Sequence, residues 1–127
     1  MSVQLNHTIV PARDPRASAL FLSEILGLGA PVKFGPFEGV ELDNGVTLDF
    51  MRDAGDIDVR HYAFMVSEDE FDRIFARIRE RGLTYWADPA HHRPGEINHN
   101  DGGRGVYWDD SDGHRLEILT RAYGSGD

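Results

Sequence analysis

The chain has 127 residues, of which 40% are hydrophobic and 28% charged, a composition that suits one globular domain with a modest core. Its formal net charge of −9 argues against nucleic acids and anionic membranes as partners, because their negative charge would repel it. The chain has no cysteine, which excludes disulfides and thiolate chemistry, so any metal ion must be held by His, Asp or Glu.

The first residues give no sign of export. The segment MSVQLNHTIV has neither the basic nor the apolar region of a secretory signal, and no long apolar run follows it. We therefore predict a cytoplasmic protein that does not span a membrane.

The first half of the sequence predicts a strand, a helix and three further strands. The strand covers residues 5–10. The helix lies in DPRASALFLSEILGLG, with Asp14 as N-cap, Pro15 in the first turn and Gly27 beyond the end. Its predicted apolar stripe consists of Ala17, Leu20, Phe21 and Ile25. Strands follow at 32–34, 37–42 and 46–51, with a tight DNG turn at 43–45 between the last two.

The second half repeats this order. Residues 59–66 are β-branched and aromatic and predict a strand. The segment SEDEFDRIFARIRERG begins with a capping box of Ser67 and Glu70 and ends at Gly82. Its predicted stripe consists of Phe71, Ile74, Phe75 and Ile78. Strands at 83–86, 105–108 and 115–120 complete a single domain, 1–127, with module one at about 1–53 and module two at about 58–122.

The two halves place similar residue types at equivalent positions. His7 and His61 lie on the opening strands, and Asp49 and Glu117 lie on the closing strands. Glu117 interrupts the apolar run RLEIL, where a carboxylate must be solvated at a sheet edge or held by a positive group. A single strand histidine is more often structural than a ligand. Two matched histidines with matched carboxylates favour a metal site, provided that the halves pack around a shared concave sheet.

Four segments together resemble the vicinal oxygen chelate superfamily, which includes glyoxalases, extradiol dioxygenases and fosfomycin- and bleomycin-resistance proteins. They are LNHTIV, ALFLSEILGLG, HYAFMV followed by a capped helix, and VYWDDSDGHRLEIL, in which Ser111 stands where proline is usual. The resemblance covers nearly the whole chain. It implies an α+β fold in which two βαβββ modules form a cupped mixed sheet around a divalent metal ion.

The resemblance also implies a ligand set. Residue by residue, the metal-ligand positions fall on His7, His61 and Glu117. Two imidazoles and one carboxylate favour Fe²⁺ or Mn²⁺, although Zn²⁺, Ni²⁺ or Co²⁺ could bind the same set. Glyoxalase-type members have a fourth ligand, usually glutamate, at the position of Asp49. The shorter aspartate leaves an exposed or supporting role open as well.

The polar stretch at 87–104 predicts a long loop that acts as a lid. Adjacent His91 and His92 cannot readily chelate one ion together, so a rival metal site there is disfavoured. Ring-cleaving extradiol dioxygenases have a tyrosine ten residues before the glutamate ligand, and Tyr107 stands there in this chain. The resemblance implies that Tyr107 bonds a substrate oxygen, although packing alone would also explain an aromatic residue. His99 is a candidate acid–base partner.

The sequence departs from two branches of the family. Ring-cleaving members carry an acid–base histidine on the strand before the second histidine ligand, and GVTLDFM has none. Fosfomycin-resistance members have a Lys, Ser and Arg cluster for a phosphonate. The only lysine, Lys33, is far from the ligand segments in sequence, and nothing singles out Arg93, Arg104 or Arg121 as replacements.

Three functions stay open at this point. The first is a metal-dependent enzyme, dioxygenase-like or a glyoxalase-like lyase or isomerase, acting on a small substrate with adjacent oxygens. The second is a metal-free antibiotic-binding protein of the bleomycin-resistance type, which the acidic charge and Tyr85, Trp86 and Trp108 would suit. The third is a scaffold or ligand sensor. The resemblance also implies a homodimer, with sites formed within one chain or shared between two.

Overall fold

The computed structural model describes residues 2–126, and the chain divides after Asp58 into two compact units. Unit one contains β1 (His7–Ala12), α1 (Pro15–Leu26), β2 (Val32–Phe34), β3 (Phe37–Glu41) and β4 (Thr47–Arg52). Unit two contains β5 (His61–Met65), α2 (Glu68–Glu80), β6 (Tyr85–Trp86), a 3₁₀ turn (Asn100–Gly102), β7 (Gly105–Asp109) and β8 (Arg115–Leu119). The predicted α+β class with two βαβββ units is confirmed.

The two sheets have the same mixed topology. Their strand orders are β1-β4-β3-β2 and β5-β8-β7-β6. The opening strand runs parallel to the closing strand in each sheet, and the other neighbours are antiparallel. Opening and closing strands are therefore direct neighbours, so Ile9 pairs with Asp49 and Ala63 pairs with Glu117.

Strand ends differ from the predicted ones by one or two residues. β1 begins at His7, where pairing with β4 starts, and it continues to Ala12 opposite Arg52. β6 begins at Tyr85 rather than at 83, because Leu83 still donates its N–H to the carbonyl of Ile78 at the end of α2. The predicted DNG turn is confirmed, with Gly45 at φ 87° between β3 and β4.

Helix α1 begins and ends as predicted, but of its predicted apolar stripe only Ile25 is fully buried. Asp14 accepts from the N–H of Ala17, and Gly27 closes the helix in the left-handed conformation. The buried residues are Ser18, Ala19, Leu22, Ser23 and Ile25, whereas Ala17 is exposed and Leu20 and Phe21 are half-buried. Small residues dominate the buried face, and the Ser23 hydroxyl donates to the carbonyl of Leu20, so a polar side chain is tolerated there.

Helix α2 follows the sequence pattern closely. Ser67 and Glu70 form the reciprocal capping box, and Phe71, Ile74 and Ile78 are buried, with Phe75 half-buried at the margin. Acidic side chains in the first turn and arginines in the last complement the helix dipole. In the described part of the chain, no helix is long and apolar enough to cross a membrane.

The stretch 87–104 is more ordered than a structureless loop. Its backbone pairs with β6 between Trp86 and Pro94 and with β7 between Asn98 and Gly105. Asn98 is buried and donates to the carbonyl of Ala87 across the base of the stretch. The predicted loop is therefore partly ordered, which the sequence could not reveal because these local bonds follow no hydrophobic period.

Candidate metal centre

One face of the sheet in unit two gathers the polar side chains of the site. Strand pairing places Glu117 beside Tyr107, and Tyr107 beside Trp86. His61 lies two residues before Ala63, the partner of Glu117, so it projects from the same face. We call this the Glu117 face, defined by His61, Trp86, Tyr107, Asp109 and Glu117.

Glu117 is buried in the middle of the sheet. Strand β8 lies between β5 and β7, and Glu117 is only 1% exposed. This excludes the interpretation that the carboxylate is solvated at a sheet edge. A carboxylate removed from water in this way must be held by donors or by a cation, since burying an unpaired charge costs several kcal/mol, on the order of a whole domain's marginal stability.

The His61 ring connects this carboxylate to the backbone. Its Nδ1 lies 3.2 Å from the carbonyl oxygen of Arg115, and its Nε2 lies 3.1 Å from Glu117 Oε1. A carbonyl can only accept, so Nδ1 carries the hydrogen and the Nε2 lone pair is directed at the carboxylate oxygen. Two lone pairs facing each other at this distance require one positive charge between them, either a proton or a cation.

Two tyrosines hold the other side of the carboxylate. The Tyr123 hydroxyl bonds to Glu117 Oε2, and the Tyr107 hydroxyl lies 2.9 Å from that of Tyr123. Burial and the bond to Glu117 raise the pKa of Tyr123, while burial and the charge of Glu117 raise the pKa of Tyr107 against the opposing effect of the bond to Tyr123. Both phenols therefore carry a hydrogen at neutral pH.

The hydrogens of these phenols have only one consistent direction. The Tyr123 hydrogen is committed to the carboxylate, which only accepts when ionised. Tyr123 must then accept from Tyr107, giving a chain from Tyr107 through Tyr123 to Glu117. The Tyr107 ring also stacks on His61, with centroids 5.9 Å apart and planes 25° apart. Tyr107 is thus linked both to His61, by stacking, and to Glu117, by hydrogen bonding.

The donor set of unit two fits a divalent ion. Two ligands bound at about 2.1 Å and at right angles to each other are about 3.0 Å apart, close to the 3.1 Å between His61 Nε2 and Glu117 Oε1. Imidazole nitrogen and carboxylate oxygen are ligands for such ions, and the Nδ1 bond to a backbone carbonyl is a common way to orient a metal-binding histidine.

The counterpart residues in unit one match His61 in exposure but not Glu117 in burial. His7 is exposed, and its Nδ1 lies 2.7 Å from Asn6 Oδ1, so its Nε2 is also the nitrogen left with a lone pair. Asp49 is half-buried beside Gly39, where a Cβ would lie 3.2 Å from Asp49 Oδ1. Within neither unit does the described chain gather three or more His, Asp or Glu side chains into a metal-binding group.

His91 is a second imidazole on the Glu117 face, although a metal site at His91 and His92 was disfavoured from the sequence. Its ring stacks on Trp86, with centroids 3.6 Å apart and planes 9° apart. Its Nε2 lies 3.6 Å from Asp109 Oδ1, and among the described residues neither buried atom has a hydrogen-bond partner. The backbone of His91 has φ 62°, an uncommon conformation for a residue other than glycine. His99 lies further along the chain, at the start of the 3₁₀ turn, with an exposed side chain.

The cationic side chains considered for a phosphonate have other partners. Arg104 pairs with Glu68 at 2.7 Å and Asp72 at 2.8 Å, and its guanidinium lies over the Phe71 ring. Arg93 pairs with Glu96, Arg121 bonds to the carbonyl of Ser125, and Lys33 lies 3.9 Å from Glu38 in unit one. Each of these cations is engaged elsewhere, and none contributes to the Glu117 face.

The aromatic groove suggested for an antibiotic binder is only partly present. Trp108 is fully buried on the opposite face of β7 from Tyr107, and its partner Tyr85 packs edge-on against Phe75 of α2. Trp86 alone of the three lies on the Glu117 face, and His91 covers its ring. The expectation for Trp108 and Tyr85 was wrong because strand alternation directs both to the opposite face of the sheet, where Trp108 is buried and Tyr85 is half-buried.

Comparison with known proteins agrees with this architecture. The chain is 67% identical to a solved structure named oxidase ChaP-H1 (TM-score 0.95, covering 97% of this chain and 99% of that one) and 66% identical to oxidase ChaP-H2 (TM-score 0.97, covering all of both). It is 29% identical over 126 residues to glutathione transferase FosA of Serratia marcescens, covering 93% of this chain and 81% of the relative. It is 26% identical to metallothiol transferase FosB of Lysinibacillus sphaericus (strain C3-41), covering 94% and 84%.

These relatives are enzymes by name, and this chain is likewise an enzyme. A family model described as the Glyoxalase/Bleomycin resistance protein/Dioxygenase superfamily matches residues 4–118. That range includes both units of the fold and both members of the His61–Glu117 pair. The resemblance seen in the sequence is confirmed, and the chain belongs to the Glyoxalase/Bleomycin resistance protein/Dioxygenase superfamily.

Proposed function

We propose that this enzyme is a divalent-metal-dependent oxidase that acts on a small molecule with adjacent oxygen atoms. His7, His61 and Glu117 are the proposed ligands, with Fe²⁺ or Mn²⁺ favoured. The name oxidase, carried by two relatives at 66% and 67% identity, supports this reaction class over the lyase or isomerase alternative.

The observation that carries the proposal is the convergence of lone pairs at His61 Nε2 and Glu117 Oε1. These atoms lie 3.1 Å apart. The Nδ1 atom of the same imidazole is hydrogen-bonded to the Arg115 carbonyl, and the other carboxylate oxygen accepts from the Tyr123 phenol. His7 supports the same set, because its Nδ1 bond to Asn6 also leaves Nε2 as the coordinating nitrogen.

A bound ion would supply Lewis acidity and, for iron, one-electron chemistry toward oxygen. The residues of the chain orient the substrate and move protons. Tyr107 donates its own hydrogen to Tyr123, so its oxygen can accept one from a substrate hydroxyl. His99 is the proposed partner that exchanges protons with solvent, and its exposed position suits this role.

The other functions have weaker support. A thiol transferase of the FosA or FosB type would need cations for an anionic substrate, and the arginines and the lysine discussed above are paired elsewhere. A metal-free antibiotic binder has no need for a buried carboxylate beside an imidazole. Of its three aromatic residues, Trp108 lies in the core and Tyr85 is half-buried against Phe75.

Metal analysis with matched variants tests the proposal. Purified protein loaded anaerobically with Fe²⁺ should contain about one ion per chain. Metal content measured by mass spectrometry should drop sharply in His61→Ala and Glu117→Ala. His92→Ala is the control, since His92 is exposed and lies 3.9 Å from Asp88. Unchanged stoichiometry in both ligand variants contradicts the metal site.

The reaction class is tested separately. The Fe²⁺-loaded protein is screened against catechols, 2-oxoaldehyde–thiol adducts and cationic antibiotics, with an oxygen electrode and product analysis as readouts. Oxygen uptake that depends on substrate supports the oxidase. Turnover of the thiol adduct without oxygen uptake supports the glyoxalase-like alternative instead, and tight antibiotic binding by metal-free protein supports the sequestering alternative.

We also propose a homodimer. Unit one exposes Leu5, Ile9 and Phe34, with 66%, 42% and 75% of their surface accessible, and exposed apolar surface of this kind commonly marks an interface. Light scattering at micromolar concentration tests the assembly. A mass near the 14.3 kDa of one chain contradicts it.

A further inference from the structure

We infer that Tyr123 is a positioning residue for the metal-binding carboxylate: its phenol holds Glu117 Oε2 and thereby directs Oε1 toward the ion. This inference rests on the proposed function, because it assigns a role to Tyr123 at the same site. Tyr123 lies in the segment 121–126 that follows β8, outside the strands and helices that form the fold.

The segment 121–126 is held in place by contacts remote from the carboxylate. Gly124 donates its N–H to Asp101 Oδ1 at 3.1 Å. A Cβ on Gly126 would lie 1.7 Å from the carbonyl oxygen of Asp101, so the two backbones touch and only glycine fits. Asp101 belongs to the 3₁₀ turn, and the segment is thus fixed to that turn while Tyr123 extends toward Glu117.

The Tyr123 side chain is suited to positioning rather than to packing. The residue is 59% exposed, so its ring contributes little to the core, whereas its hydroxyl reaches a carboxylate that is 1% exposed. Glu117 has two oxygens with different partners: Oε1 faces His61, and Oε2 accepts from Tyr123. Without the phenol, Oε2 would lose this direct donor, and the carboxylate could rotate or offer both oxygens to an ion.

The direction of the hydrogen-bond chain predicts an asymmetry between the two tyrosines. Tyr123 donates directly to Glu117 Oε2, whereas the Tyr107 hydroxyl is bonded to Tyr123 and also interacts with the carboxylate. Removing the Tyr123 hydroxyl therefore acts on the ligand itself. Removing the Tyr107 hydroxyl leaves the bond between Tyr123 and Glu117 intact.

The experiment measures Co²⁺ and Mn²⁺ affinity by titration calorimetry in three phenylalanine variants. Groups that orient a ligand typically change metal affinity by about 10- to 100-fold, and we expect this loss in Tyr123→Phe. Tyr107→Phe should change the affinity by less than about threefold, since the direct bond persists. Tyr62→Phe is the matched control, because it removes a phenol of the same unit outside this chain of bonds. Each variant keeps its ring, so packing alone predicts no difference among them.

A second readout does not depend on a metal. The crystal structure of metal-free Tyr123→Phe should show the Glu117 carboxylate rotated away from His61. A third readout uses the Co²⁺-loaded variant, whose visible spectrum should change in band intensity as the carboxylate binds through both oxygens. Equal affinities for wild type and Tyr123→Phe, or an unmoved carboxylate in the metal-free variant, overturns the inference. If wild type itself binds neither ion, the proposed metal site fails, and the carboxylate position in the crystal still decides the role of Tyr123.

Discussion

The two units share one topology, yet their equivalent faces differ in what covers them. In unit one, Asp49 on the closing strand is half-buried, and β3 and β4 are joined by a short turn. In unit two, Glu117 and Tyr107 are buried, and two additional segments, 87–104 and 121–126, lie around them. Equivalent positions in a repeated fold therefore carry the same residue types without the same environment.

Changing the length of the carboxylate side chain at Glu117 and at Asp49 should give the largest difference in metal affinity between the two units. Glu117→Asp withdraws the oxygens from both His61 and Tyr123, and we expect it to lower metal affinity by at least about 100-fold. Asp49→Glu lengthens the counterpart in unit one and should change affinity by less than about threefold if Asp49 is no ligand. Titration calorimetry measures both variants. A tenfold or greater gain in Asp49→Glu would instead identify this position as an additional ligand position.

Local signals explain why the sequence predicts the elements so well. The ends of α1 and α2 depend on Asp14, Ser67 and Gly27, which act on neighbouring backbone groups within one turn. The prediction of the α1 stripe failed at most of its positions because small residues can face a sheet where space is short, and a hydrophobic pattern does not reveal this. The histidine and carboxylate positions followed from the repeat, which compares equivalent strands.

The rest of the site could not be read from periodicity. Tyr123 and His91 lie in segments without a helical or strand period, so their placement depends on bonds such as that from Gly124 to Asp101 and on the stack on Trp86. Glycine at 103 and 126 was a weak signal, because close backbone approach is one of several reasons for glycine. Only the folded chain shows which reason applies.

The packing of segment 121–126 against the 3₁₀ turn should be sensitive to one methyl group. A Cβ at Gly103 would lie 2.5 Å from Thr120 Oγ1, which accepts from the N–H of Arg104. We expect Gly103→Ala to destabilise the protein by about 1–3 kcal/mol in urea unfolding, as overpacking usually does. The control is Gly29→Ala in unit one, where no atom lies within 4 Å of the new methyl group. Equal midpoints for the two variants would contradict the tight contact.

The caps of the two helices differ in a way that stability measurements can detect. Ser67 and Glu70 exchange two bonds at the start of α2, whereas Asp14 accepts a single bond from Ala17 at the start of α1. Each cap-to-alanine change should cost about 1 kcal/mol, with Ser67→Ala at least as costly as Asp14→Ala. Urea midpoints of the two variants, measured in parallel, test this order, and a clearly larger loss for Asp14→Ala would reverse it.

The smallest expected effect concerns Tyr62, which follows His61 on β5 as Thr8 follows His7 on β1. Its hydroxyl is buried and has no hydrogen-bond partner in the described residues, so Tyr62→Phe should change the free energy of unfolding by less than about 0.5 kcal/mol at neutral pH. Burial raises the pKa of Tyr62, although Arg60 opposes the shift. Because the unfolded phenol ionises first, near pH 10, wild type loses stability as the pH rises above that value. Tyr62→Phe should lose less over the same alkaline range. Parallel unfolding curves at pH 7 and above pH 10 measure the difference, and an equal alkaline loss in both proteins would show that this phenol is not shifted by burial.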